Sequence, residues 1–223
     1  MYLITKRLFD LISSLFAVIL ILPLAIPIII VLKLTSEGEV FYFQERIGFL
    51  NKKFKIFKFA TMLKNSSNLK GGYITVKNDS RLTFFGGFLR KSKINELPQL
   101  VNIILGDMSV VGPRPVMKVS FESYPSKVQK LIYNSKPGLT GIGSIVFRDE
   151  EDLITREKNK GGDVWSFYKK QIYPFKGELE IWYHKNRSFM LDLKLIFLTI
   201  WVVLLPKSRI VYKVFKNLPI RKF

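Results

Sequence analysis

Residues 89–115 read "LRKSKINELPQLVNIILGDMSVVGPRP", and their punctuation organises the middle of the chain. Pro98 suits the first turn of a helix, whose N–H groups have no partner, and Gly106 suits the position just past a helix end. A helix is therefore expected from about Asn95 to Leu105. Upstream, Thr83 can cap a short helix through "FFGGFLRKS", which ends on Arg90 and Lys91. Downstream, "VVGPRPV" is a rigid turn. Pro113 and Pro115 flank Arg114 there, and proline fixes its own φ and restricts the residue before it. Arg114 thus loses little entropy when it grips an anion.

Glu96 is conspicuous by its isolation. Between Lys52 and Arg148 lie 17 basic residues and 4 acidic ones. A local account has Asn95 capping the helix and Glu96 facing the positive end of its dipole. A chemical account makes the lone carboxylate a metal ligand or a nucleophile. Residue physics alone favours the local account.

The 223 residues suffice for one domain with a real core, and 48% of them are hydrophobic despite a net charge of +19. Disordered basic tails are poor in apolar residues, so the balance points to an anionic partner at a membrane or to nucleic acid. There is no cysteine and a single histidine, His184. Disulfides, thiolate chemistry and the usual zinc sites are excluded, leaving Mg2+ or a similar hard ion as the metal to expect.

Leu15 to Leu32 is an unbroken apolar run, long enough for a membrane helix. No small-x-small cleavage site follows it, which argues against a signal peptide. Pro23 and Pro27 kink its middle, and basic residues flank both ends, Lys6 and Arg7 before it and Lys33 after it. A segment that dips in and returns to one face satisfies both facts, and a single kinked span stays open. The division is residues 1–34 as membrane segment and 35–223 as a domain at the cytoplasmic surface.

"GEVFYFQERIG" and "KKFKIFKFATM" alternate as strands, the second with one apolar and one cationic face that includes Lys58. "NSSNLKGG" reads as a loop, Ser126 to Asn134 as helix, "KPGLTGIGS" as loop and "IVF" as a short strand. Arg148 ends that strand, directly before Asp149, Glu150 and Glu151. "FMLDLKLIFLTIWVVLL" is amphipathic at its start, and Leu195 to Leu205 is too short to span, so it reads as core or as an interfacial helix. The tail carries Lys207, Arg209, Lys213, Lys216, Arg221 and Lys222, either solvated or set against an anionic leaflet. There is no P-loop and no Gly-x-Gly-x-x-Gly after a strand.

"KRLFD", "FYFQERIG", "FKIFKF", the long block through "GPRP", "KPGLTG" and "WYHKNRSFMLDLKL" together resemble the bacterial sugar transferase family, the monotopic phosphoglycosyl transferases. The resemblance implies a mixed, helix-rich α/β fold: a re-entrant helix broken near Pro23, plus a small cytoplasmic catalytic domain with interfacial amphipathic helices at the bacterial inner membrane. It implies transfer of a sugar-1-phosphate from a nucleotide sugar, usually a UDP-sugar, to a polyprenyl phosphate, with Mg2+ and release of UMP. Glu96, Asn95 and Arg90 would serve the chemistry and Glu96 the metal. Arg114 with Pro113 and Pro115, Arg148, Asp149 and Lys58 would serve the substrate, and Lys6, Arg7 and Pro23 the membrane. Two positions depart from the pattern: Asn95 stands where the family has its nucleophilic aspartate, and Ala60 where it has an arginine. An amide cannot form an acyl phosphate, so a catalytically silent scaffold is the second reading, and "FRDEED" is a source of a compensating carboxylate. A nucleic-acid binder is the weakest reading, since the phenylalanines of "FKIFKF" are expected in the core, and no nucleic-acid partner is assigned. A homodimer stays open.

Overall fold

A computed structural model describes residues 1–35, 37–66 and 79–223. The expected loop at 65–72 lies mostly outside them. The first helix, α1 (Tyr2–Thr35), contains both Pro23 and Pro27 and continues through them. The expected break near Pro23 is thus not a loss of helix, because a proline removes one donor while the turns on either side keep theirs. By length and composition α1 can cross a membrane, and only Asp10, Ser14 and Leu32 are buried along it. Phe16, Ile19, Leu20, Leu24 and Ile30 stand exposed.

The other side of α1 is docked on the rest of the chain from end to end. Near its start, the Tyr2 hydroxyl and the Lys6 ammonium both donate to Asp192 Oδ2, at 2.8 and 2.7 Å. Arg7 donates to the carbonyls of Ile103 and Ile104 at 2.6 and 3.0 Å. Asp10 Oδ1 accepts the Val110 N–H at 3.0 Å. At mid-length Ala17, Val18 and Ile21 pack on Ile56, Leu100, Ile103 and Met108. Near its end Leu32 is sealed against Phe59 and Leu89.

β1 (Phe41–Ile47) and β2 (Lys53–Phe59) pair antiparallel, Phe41 opposite Phe59 and Ile47 opposite Lys53. Both lie where the alternation predicts them, but β2 does not have one cationic face. Side chains alternate strictly along a strand, and the sequence pattern slips at Ile56-Phe57. Lys53 and Lys55 share a parity with Phe57 and Phe59, whereas Lys58 falls in line with Phe54 and buried Ile56. Lys58 is thereby carried inward.

α2 (Gly86–Lys91) starts where the Thr83 hydroxyl accepts the Gly86 N–H at 3.1 Å. A tight 3-10 turn over Ile94–Glu96 precedes α3 (Gln99–Leu105), which Gly106 ends at φ +93°. The predicted helix from Asn95 is split because Pro98 offers no N–H to the Ile94 carbonyl, which takes the Leu97 N–H at 3.1 Å instead.

β3 (Ser109–Val111), α4 (Lys118–Glu122), α5 (Ser126–Leu131) and β4 (Gly138–Thr140) follow. β3 and β4 pair in parallel, Ser109 beside Gly138 and Val111 beside Thr140. β4 occupies part of the stretch read as loop. The pairing needs a close approach of Gly112 and Gly138, where any Cβ would strike the opposite backbone. "IVF" is not a strand: α6 (Ile142–Val146) covers its first two residues. Ile142, Ile145, Val146 and Phe147 are all buried, and so short an apolar run does not separate helix from strand.

α7 (Glu150–Asn159), α8 (Val164–Phe167), α9 (Tyr173–Asn186), α10 (Phe189–Leu204) and α11 (Ile210–Val214) complete the chain. The largest core joins α6, α9 and α10 through Ile142, Leu179, Leu195 and Leu198. α10 is core and surface at once, since Phe197, Ile200, Trp201 and Leu204 remain exposed. The basic tail is not simply solvated. Val211, Phe215 and Leu218 are buried in that core, while Lys213, Lys216 and Lys222 stay outside. The protein is a mixed, helix-rich α/β fold.

Candidate active site

Glu96 and Asn95 lie on the tight turn between α2 and α3, and both are 7% exposed. Lys93, at the head of the turn, takes left-handed backbone at φ +65°, a sparsely populated conformation for a non-glycine residue. Glu96 Oε1 accepts from Arg114 Nη2 at 2.7 Å and lies 3.6 Å from Lys58 Nζ. Among the described residues no protein donor bonds its Oε2. Burial pushes the Glu96 carboxyl up, but Arg114, Lys58 and Lys93 outweigh it and hold it well below the usual carboxylate range. Burial pulls the Lys58 ammonium down to about 7 against the attraction of Glu96, with Arg114, Arg46 and Lys93 adding repulsion. Arg46 is pulled down to about 10, by burial and then by Arg114. The Arg114 guanidinium is raised by Glu96.

The capping part of the local account does not hold. Among the described residues Asn95 makes no capping bond and its buried Oδ1 has no partner. A buried unpaired amide oxygen costs free energy, so it marks a place where a ligand has something to satisfy.

Arg114 is held at its backbone from several sides. The Tyr133 hydroxyl donates to the Arg114 carbonyl at 2.8 Å and accepts the Val116 N–H at 3.1 Å. The Gly138 N–H bonds the Pro113 carbonyl at 2.8 Å, and the Ile47 N–H bonds the Val116 carbonyl at 2.9 Å. The stiffness expected of Pro113 and Pro115 is thus reinforced by β4 and β1. Burial lifts the carboxyl of Glu180, from α9, to about 8 despite the opposing effects of Lys176 and the Arg114 backbone.

Arg148, at the end of α6, donates to the Lys91 carbonyl at 3.0 Å. The acids beside it are each met by a cation. Asp149 is gripped by Arg221 at 2.8 and 2.6 Å. Glu150 takes Lys176 at 2.7 and 2.8 Å and the Tyr168 hydroxyl at 2.9 Å. Glu151 lies 3.8 Å from Arg90. Arg90, Arg148, Asp149, Glu150, Glu151 and Lys176, with Lys58, Lys93, Asn95, Glu96 and Arg114, line one cleft of about 1300 Å3. Pro115 also lines it, whereas Lys6, Arg7 and Pro23 belong to α1 and its docking. Ala60 is buried beside it, its N–H bonded to the Val40 carbonyl at 2.9 Å.

Sequence reasoning passed over Arg46, Lys93, Lys176 and Glu180, which also line the cleft. Lys176 and Glu180 are four apart on a helix, a legible pair, but only packing turns that face inward. Among the described residues no three carboxylates or imidazoles gather for a metal. Mg2+ commonly binds through one or two carboxylates and takes the rest from substrate phosphates and water, and Glu96 with the unpartnered Asn95 oxygen fits that demand.

The model of the family described as "Bacterial sugar transferase" matches residues 1–206. The chain is 34% identical over 213 residues to the "UDP-galactose-lipid carrier transferase" of Erwinia amylovora, covering 89% of this chain and 40% of that one. It is 39% identical over 206 residues to the "UDP-glucose:undecaprenyl-phosphate glucose-1-phosphate transferase" of Klebsiella pneumoniae, covering 91% and 41%. To the "Exopolysaccharide production protein ExoY" of Rhizobium meliloti it is 36% identical over 187 residues, covering 77% and 82%. The chain therefore spans about two-fifths of the length of the first two relatives and most of the third. With a match over nearly its whole length, the chain belongs to the bacterial sugar transferase family.

Proposed function

We propose that this protein transfers a sugar-1-phosphate from a UDP-sugar to a polyprenyl phosphate at the cytoplasmic face of a bacterial inner membrane, releasing UMP and starting glycan assembly. The observation that carries the reading is the buried carboxylate of Glu96 among Arg114, Lys58 and Lys93 in an open cleft. Arg46, Arg90 and Arg148 line the same cleft, so cations outnumber acids around Glu96 and suit a diphosphate. The printed names of the Erwinia and Klebsiella relatives describe UDP-sugar and lipid-carrier chemistry of this class.

In the displacement, an oxygen of the lipid phosphate attacks the sugar-bearing phosphorus. The bridging P–O bond breaks, and its electron pair leaves with UMP. Asn95 cannot take the place of the attacking oxygen. Glu96 is ion-paired and strongly ionised, which makes it a weak nucleophile and a good positioning group. Asp149, Glu150 and Glu151 each face a cation. Direct attack by the already ionised lipid phosphate is therefore the favoured route. Arg114 and Arg148 grip the diphosphate, and the Asn95 amide orients what Glu96 holds. Glu96 would hold Mg2+, which when bound would supply charge neutralisation for the leaving phosphate.

Both ends of α1 bond or pack onto one body while its outer face stays apolar and exposed, which supports a re-entrant helix over a span. The test of function is UMP release by purified protein given polyprenyl phosphate and a panel of UDP-sugars. Release with one donor is expected, and no UMP with any donor would leave the scaffold reading. Intact mass after incubation with donor alone checks the route: an unchanged mass is expected, and a stable sugar-phosphate adduct would overturn direct attack.

A further inference from the structure

We infer that Arg221 is a positioning residue of the donor-phosphate site, acting through Asp149 and the segment that carries Arg148. The inference rests on the reading of Arg148 as a phosphate ligand. Arg221 lies beyond the family match, which ends at residue 206. Its guanidinium meets both oxygens of Asp149, at 2.8 and 2.6 Å, and reaches the Val146 carbonyl at 3.4 Å. It also lies 5.4 Å from the centre of the Phe147 ring. Arg221 thus touches the residues on both sides of Arg148, and its side chain is only 14% exposed. The stretch that delivers it is anchored by buried Phe215 and Leu218 and by Phe223, whose ring packs on Phe147, Phe167 and Phe175 at 6.4, 5.8 and 5.9 Å.

Two consequences follow for an anionic ligand. The fork holds the backbone that aims Arg148. It also cancels a carboxylate that lines the cleft and that would otherwise repel a diphosphate. The second effect separates positioning from generic scaffolding, because it can be undone by removing the acid instead of restoring the arginine.

The test is calorimetric titration of UDP into the full chain in detergent. Arg221→Gln keeps the aliphatic stem and a polar end but removes the charge and the fork. It should weaken UDP by roughly three- to tenfold, the scale of one uncompensated charge near a phosphate. Adding Asp149→Asn to Arg221→Gln should restore the share of affinity lost to the bared carboxylate, leaving only the share lost with the fork's hold on the backbone. Unchanged binding in Arg221→Gln overturns the inference, and so does a loss that Asp149→Asn fails to rescue even in part. Arg148→Ala separates the two levels. If it leaves UDP affinity intact, the reading of Arg148 fails and this inference with it. If it weakens UDP while Arg221→Gln does not, only the inference fails. Melting curves confirm that each variant is folded before it is titrated.

Discussion

Glu96 keeps its charge although burial opposes it, because three cations outweigh the lost solvation. Glu96→Gln would leave Arg114 and Lys58 facing a neutral amide and remove the carboxylate proposed to hold Mg2+. UMP release should fall by about a hundredfold or more, the usual scale for removing one preorganised electrostatic contact. Wild-type turnover in that variant would exclude Glu96 from the chemistry. Glu180 shows the opposite balance, since burial lifts its carboxyl from 4.5 to about 8. A carboxyl raised on folding adds stability that is complete below its unfolded value and is lost as pH rises through its folded value. Between pH 4.5 and 8 the wild type should therefore lose stability that Glu180→Gln does not lose. The melting temperature of Glu180→Gln relative to wild type should rise by about 10 °C from pH 5 to pH 8. A difference that does not change with pH would show that Glu180 is ionised in the fold.

α1 is an element with two solvents. One side is fixed to the protein by Lys6, Arg7, Asp10 and Leu32, and the other presents Phe16, Ile19, Leu24 and Ile30 outward. In the proposed re-entrant arrangement both ends of the helix stay docked on one body, whereas a span would pull one of them away. Leaving Asp192 and the Ile103 and Ile104 carbonyls without their cationic partners would cost buried charge-assisted bonds. The chain has no cysteine, so single cysteines at residues 3 and 37 give a clean signal. An impermeant thiol reagent should label both in inverted membrane vesicles and neither in right-side-out ones. Labelling of position 3 from the outer face would establish a true span.

At the scale of the molecule, 36 basic against 17 acidic residues go with exposed apolar residues on both α1 and α10. Charge alone would attach such a protein to anionic lipid reversibly, since the Debye length shrinks to about 3 Å at 1 M salt. The exposed Phe197, Trp201 and Leu204 of α10 and the exposed apolar residues of α1 add a term that salt does not screen. Washing membranes with 1 M NaCl should leave the protein in the pellet, and detergent should release it. Release by salt alone would mean that the apolar face does not enter the bilayer.

Backbone chemistry made several elements readable in one dimension. Gly106 takes the left-handed conformation that ends α3, Thr83 accepts the first N–H of α2, and alternation marks β1 and β2. The prolines around Arg114, the isolation of Glu96 and the amide at Asn95 were equally legible, because each depends on a residue and its neighbours. The tertiary structure decided what depends on partners far along the chain. β3 and β4 pair only because Gly112 and Gly138 bring two three-residue strands together, and no local propensity encodes that contact. Lys58 faces inward because one slip in alternation moves it to the other side of β2. Asp149 looks available in sequence, but its charge is taken by Arg221, 72 residues away. Electrostatics and close packing are sums over neighbours in space, and the chain order carries only the nearest of them.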